Sequence, residues 1–271
     1  MSLHLASIHI HPIKSLGGFS VDEARITDRG LQHDRRWMLV DPQGRFLTQR
    51  EIPAMACLHT LPKENGFQVM DMRGGGPLDM PWEPQEGWPC RVQVWADEVN
   101  VVEAEHYGSW FGAQLGVPAR VVYMPDASLR PTDPTYASTI TNLSDGFPFL
   151  ILSQASLDDL NGRIAAEERI PMDRFRPNLV MNGGAAFQED QWRRIMIGDA
   201  RFELVKPCAR CVITTTDQLT GQRGKEPLAT LARFRRRPGD PTKVDFGMNA
   251  IATSGDRIRV GDAVRVITTV G

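Results

Sequence analysis

Cysteine is scarce in this chain, with four in 271 residues. That is too few for a disulfide framework, and free thiols suit a reducing compartment. Aromatic residues make up only 7% of the sequence, and none are arranged as a nucleotide-stacking signature. Charge of one sign is missing too: the net charge of −2 gives no electrostatic bias toward nucleic acid or an acidic membrane. No apolar run approaches the ~20 residues needed to span a bilayer. The first residues, "MSLHLASIHIHPIKS", alternate like a strand and lack the apolar core of a signal peptide. The expectation is a cytoplasmic protein with no membrane anchor and no nucleic-acid partner. There is no His after His106, no His-x-Glu and no Ser/His/Asp arrangement in a motif context.

What is present alternates with a period of two. Residues 5–10, 35–41, 91–104, 119–124, 147–153, 177–183, 201–207, 211–216, 244–253 and 257–267 read as strands. The last run contains a Gly261-Asp262 turn between two alternating arms, which predicts a hairpin. Many short strands with Gly- or Asp-rich turns suggest barrels or sandwiches. Helices are few. Residues 104–116 place Tyr107, Trp110, Phe111 and Leu115 near one face. Residues 153–168 place Leu157, Leu160 and Ile164 on one stripe, with Ser156 and Asp159 as a capping box. A third helix starts near Pro227, with Leu228, Leu231 and Ala232 facing inward. The fold class is mainly β with a few helices (α+β). Residues 72–90 form a Gly/Pro-rich excursion, and the aperiodic stretch 124–146 divides the chain into 1–124 and 125–271.

Four short stretches carry chemistry. "KPCARC" (206–211) holds two thiols, Cys208 and Cys211, between Lys206 and Arg210. Cys-x-x-Cys is half of a zinc site, but no second half is visible. A thioredoxin-like pair would open a helix, whereas "VITTTD" alternates as a strand. Two buried small hydrophobes are the plain alternative. The flanking cations favour a thiolate, a soft ligand for a metal. In "HPIKSLGG" (11–18), Lys14 and Ser15 with exposed amides form an anion cradle, and Gly17-Gly18 let the backbone approach something closely. In "HDRRWMLVD" (33–41), strand alternation sends Arg35 and Arg36 to opposite faces, so one points inward toward an anion or carboxylate. In "DRFRPNLVMNGG" (173–184), an extended Arg174 and Arg176 share a face that Asn178 continues. One soft ligand and several cations fit a phosphate-bearing metal cofactor better than a bare ion. Solvated surface turns and strand ends are the alternative for each stretch taken alone.

These stretches, with "FLTQRE" (46–51), "FPFLILSQASLDDLN" (147–161), "KEPLATL" (225–231) and "IRVGD" (258–262), resemble the MOSC family from about residue 4 to 269. Within that family it resembles the amidoxime-reducing components of mitochondria and their bacterial counterparts. The resemblance implies an N-terminal MOSC β-barrel-like region over 1–124, whose first ~40 residues also reach the cofactor site, and a MOSC β-barrel domain over 125–271. It implies bound molybdenum-molybdopterin and reduction of amidoximes, hydroxylamines and N-hydroxylated bases, a detoxifying activity. By the same resemblance Cys211 is the molybdenum ligand and catalytic residue. Lys14, Ser15, Arg35, Asp145, Gly146, Arg176, Asn178 and Arg210 hold the cofactor. This chain has Gly146-Phe147 where mitochondrial members carry Thr-Ser, and Ala209 where relatives often have serine. No cysteine follows Cys211, so no iron–sulfur cluster is expected in the chain, and a separate electron-transfer protein is the implied partner. A sulfur or cofactor carrier that uses the same cysteine is the alternative function.

Overall fold

The computed structural model describes residues 2–270, and strands dominate it. The largest sheet has nine strands. In spatial order its main path runs Val264–Thr269, Trp192–Ile197, Ala200–Ala209, Asp240–Ser254, Phe149–Ser153, Leu179–Asn182, His4–Ile10 and Phe19–Val21, with Arg236–Arg237 paired to the long strand. All its neighbours are antiparallel except Phe149–Ser153 and Leu179–Asn182, which the helix Gln154–Gly162 connects. The first strand of the chain therefore lies inside a sheet otherwise built mostly from the second half. Leu5, Ile8 and Ile10 join Phe149, Leu179, Trp192, Phe202 and Ala250 in one core. Side chains of this size contribute about 1.5–3 kcal/mol each when fully buried.

Residues from the first half build two further sheets, and Glu23–Thr27 forms a third with Gly30–Leu31 and Arg257–Arg259. Trp37–Val40, Arg120–Tyr123, Asp97–Glu103 and Trp88–Val94 form a four-stranded sheet, and Leu58–Lys63, Gly66–Asp71 and Leu78–Met80 a three-stranded one. The helix Gly108–Leu115 buries Phe111 and Leu115 against the same core as Trp37 and Tyr123. The class is mainly β with few helices, as the alternation predicts. The sheets are not closed barrels. The large one has two free ends in its strand order, and backbone hydrogen bonds where Leu5 meets Gly261 and Asp262, and Leu3 meets Val264, join the Val264–Thr269 end to His4–Ile10, the strand next to the other end.

Several expected elements differ. Residues 91–104 are not one strand. They are the end of Trp88–Val94 and all of Asp97–Glu103, folded back on a two-residue turn. Residues 257–267 are not a hairpin: Arg257–Arg259 pairs with Glu23–Thr27, and Val264–Thr269 pairs with Trp192–Ile197. The helix cap is Ser153, whose hydroxyl accepts from the Ser156 amide at 3.1 Å, and not Ser156 with Asp159. The expected strand 211–216 is a short 3₁₀ turn over Val212–Thr215. There the Thr214 and Thr215 hydroxyls donate back to the carbonyls of Cys211 and Val212, at 3.0 and 2.8 Å, which gives the backbone an alternative to a ladder. No helix among the described residues is long and apolar enough to cross a membrane.

Candidate functional site

One cleft lies where the two halves meet. Lys14, Ser15, Arg35, Asp145, Gly146, Arg176, Asn178, Arg210 and Cys211 all line it, as does Cys208. The Lys14 turn is pinned to the strand Trp37–Val40: the Lys14 amide donates to the Trp37 carbonyl at 2.8 Å, and the Trp37 amide donates to Pro12 at 3.0 Å. Gly17 and Gly18 allow close approach, but to the protein itself. A Cβ on Gly18 would lie 2.3 Å from the Ile10 carbonyl oxygen, and one on Gly17 would lie 2.8 Å from the His59 ring. The glycines thus set the turn and do not wrap a ligand. Arg35 precedes its strand rather than opening it, and sits in the left-handed region with φ +48°. Ser15 at +68° and Arg176 at +55° share that region. Three of the six non-glycine residues with positive φ therefore line one cleft, and such backbone strain concentrates at functional sites.

The cleft is rich in cations. Arg35 pairs with Asp34 at 2.6 Å and also donates to Asn178 Oδ1 at 3.1 Å. Asn178 is spent on structure: it accepts from the Leu150 amide and donates to the His9 carbonyl, so it positions Arg35 between two strands. Asp145 sits at the mouth, bridged to Lys14 at 2.5 Å and Arg50 at 2.8 Å. Burial pulls the Lys14 amine down to about 8 even though Asp145 opposes the shift. The two cations, Lys14 first, hold the Asp145 carboxyl well below the usual carboxylate range. Arg176 is half-buried and donates to the Leu16 carbonyl, and among the described residues no carboxylate lies within ion-pair distance. Burial, then the nearby Arg35, pull its guanidinium down to about 9. Arg210 donates to Cys208 Sγ at 2.9 Å and to the Phe175 carbonyl at 2.7 Å, leaving its buried Nε without a partner.

Cys211 opens the 3₁₀ turn and is half-buried, and it lines the cleft together with Arg50. Lys206 does not accompany it. Its ammonium lies 4.3 Å over the Tyr136 ring, because the ladder between Ala200–Ala209 and Asp240–Ser254 is irregular on both sides of it. Arg174 also departs: residues Met172–Phe175 are a 3₁₀ turn, not extended, and Arg174 pairs with Asp217 at 2.9 Å. Sequence reasoning missed Arg50, although "FLTQRE" contained it. Its partner Asp145 is 95 residues away.

Among the described residues no three His, Cys, Asp or Glu side chains gather to hold a metal. The cysteine pair is therefore not half of a protein-only zinc site. The residues do fit an anionic group that brings its own metal. The half-buried Arg176 guanidinium, without a carboxylate partner among the described residues, and the orphaned Arg210 Nε suit anionic acceptors, and the soft Cys211 sulfur lines the same cleft. The space between them is about 130 Å³, so a phosphate-sized group fits inside and the rest of a larger ligand lies toward the mouth.

The sequence matches the MOSC N-terminal beta barrel domain over residues 2–118 and the MOSC domain over residues 139–265. Mitochondrial amidoxime-reducing component 1 of Mus musculus is 32% identical over 97% of this chain and 82% of its own length. Mitochondrial amidoxime reducing component 2 of Rattus norvegicus is 33% identical, over 96% and 82%. Molybdenum cofactor sulfurase of Oryza sativa subsp. japonica is 32% identical over 91% of this chain, which spans only 32% of that protein. With both domains matched and about a third of residues shared along nearly its full length, this chain belongs to the MOSC family.

Proposed function

We propose that this protein is a molybdenum cofactor-dependent reductase of N-hydroxylated compounds, acting in the cytoplasm with electrons from a separate electron-transfer protein. The observation that carries the reading is the meeting of the Cys211 thiol with Lys14, Arg35, Arg176 and Arg210 in one cleft, Arg176 having no carboxylate partner among the described residues. Cys211 would hold molybdenum, and Lys14, Arg35, Arg176 and Arg210 the phosphate and pterin. When bound, the cofactor supplies the two-electron reduction. The protein supplies position and field. Asn178 and Asp34 fix Arg35, and the Phe175 carbonyl fixes Arg210. Asp145 shares Lys14 and Arg50 with any entering anion, so ligand binding competes with that bridge.

Molybdenum and pterin analysis of the wild type, Cys211→Ser and Cys208→Ser tests the ligand assignment. Cys211→Ser loses the metal, whereas Cys208→Ser keeps it. Retention of coordinated metal with unchanged spectra in Cys211→Ser sinks the assignment. The alternative is a carrier that presents a Cys211 persulfide or the cofactor to client enzymes. The similarity to a molybdenum cofactor sulfurase favours it as the second reading. Catalytic reduction of benzamidoxime by loaded protein with an artificial donor decides for the reductase. A loaded protein that never turns over decides for the carrier.

A further inference from the structure

A second hollow of about 620 Å³ adjoins the cleft, and Arg50 belongs to the walls of both. Phe46 and Trp95 form its apolar side, their ring centroids 5.0 Å apart and their planes at 62°. The Arg50 guanidinium lies 4.7 Å over the Trp95 ring, while the same side chain donates to Asp145 and shares the cleft wall with Cys211. A single arginine therefore separates an indole from the candidate reactive sulfur.

Trp95 sits where local chemistry disfavours it. Val94 pairs with Asp97, leaving Trp95 and Ala96 as a two-residue hairpin turn. Trp95 has φ +59°, in a first turn position that favours Gly, Asn or Asp. A bulky residue at positive φ is an outlier. The residue is 44% exposed, so core packing does not explain the choice. The Gln93 side chain donates to the Trp95 carbonyl at 3.1 Å and braces the turn. Strain maintained without burial, next to a candidate site, points to a use for the exposed ring.

We propose that Trp95 and Phe46 form an aromatic subsite for the planar ring of an aromatic or heteroaromatic N-hydroxylated substrate, whose N-hydroxyl end reaches past Arg50 toward Cys211. This rests on the reductase reading for its chemistry, but the binding itself does not. Planar π-systems stack on an indole largely regardless of ring identity. The hollow's volume falls within the range of small-molecule pockets.

The test compares benzamidoxime with the aliphatic acetamidoxime in cofactor-loaded protein. Dithionite-reduced methyl viologen serves as donor, so no protein docks during the assay. Trp95→Ala is expected to raise KM for benzamidoxime about fivefold or more, the lower range for removing one stacking aromatic. Acetamidoxime KM stays unchanged and Trp95→Phe restores most of the difference. Trp95→Gly suits the turn better, so it should lose benzamidoxime affinity while raising Tm, which separates the subsite from misfolding. Calorimetric binding of benzamidine, which cannot be reduced as an amidoxime, gives a readout independent of turnover. If benzamidine binding depends on Trp95 but no amidoxime is reduced, the subsite stands and the reductase reading falls. If both amidoximes are reduced and Trp95→Ala treats them alike, the subsite falls and the reductase reading stands.

Discussion

Lys14 and Arg176 are costly residues in a ligand-free fold. Lys14 is almost enclosed and Arg176 half-buried, and each has its pKa pulled down chiefly by burial, to about 8 and about 9. A lowered amine pKa means the unfolded chain holds more protons than the native one between the two pKa values. Stability contributed by Lys14 therefore rises with pH from about 8 toward its ordinary value of 10.5. Below pH 8 the full cost is in place, on the order of 3 kcal/mol. Lys14→Met is expected to stabilise the cofactor-free protein at pH 7, with the gap from wild type closing by pH 10. Urea melts at pH 7, 8.5 and 10 measure this, and a gap that does not change with pH contradicts it. Arg176→Met should gain less at neutral pH, since it removes a half-buried charge with no carboxylate partner but also that charge's hydrogen bond to the Leu16 carbonyl. It should also lower retained molybdenum and pterin at least tenfold, read by elemental and fluorescence analysis of the purified protein. Most candidate site residues could be named from short motifs because cations beside a thiol are legible in any order. Arg50 could not, because its meaning depends on Asp145 and Trp95 being brought to it.

At the scale of elements, the amphipathic helices were the most legible. Leu157, Leu160 and Ile164 share one core, and Phe111 and Leu115 are buried as their spacing predicts. Strand partners were not legible, since alternation specifies a face and not a neighbour. Residues 257–267 alternate on both sides of a Gly-Asp turn, yet their arms join different sheets. Residues 211–216 have the β-branched composition of a strand, yet threonine hydroxyls turn them back. Asn178 shows how one side chain joins elements: it bonds Arg35, the Leu150 amide and the His9 carbonyl from a buried position. Asn178→Ala leaves these groups unpaired and is expected to cost about 2–4 kcal/mol, measured by denaturant unfolding. Arg35 then loses a constraint, so cofactor content should fall as well. A loss under 0.5 kcal/mol with full cofactor content shows that the bonds are dispensable.

The whole molecule is interleaved. Strand His4–Ile10 pairs with Leu179–Asn182, and Leu5, Ile8, Ala24, Ile26 and Leu31 share a core with residues from 149 to 264. The cleft likewise draws Lys14, Ser15, Arg35 and Arg50 from the first half. A fragment of residues 125–271 would expose the edge of Leu179–Asn182 and much of that core. We expect it to be insoluble or molten when expressed alone, and to be rescued by co-expression with residues 1–124. The intact chain should show a single cooperative unfolding transition. A soluble, folded 125–271 fragment with a dispersed amide spectrum contradicts this account.

By itself the sequence determined the class of elements, the amphipathic faces and a short set of groups suited to an anionic, metal-bearing ligand. Those properties are local: side-chain spacing and residue chemistry are fixed within a few positions of the chain. Only the tertiary structure decided which cations share one cleft. It turned Lys206 toward Tyr136 and Arg174 toward Asp217, and it brought Arg50 to Cys211. The reason is that ladder irregularities, strand pairing and buried ion pairs depend on atoms far apart in sequence. A side chain's direction follows from where its partners lie, and no local pattern records that.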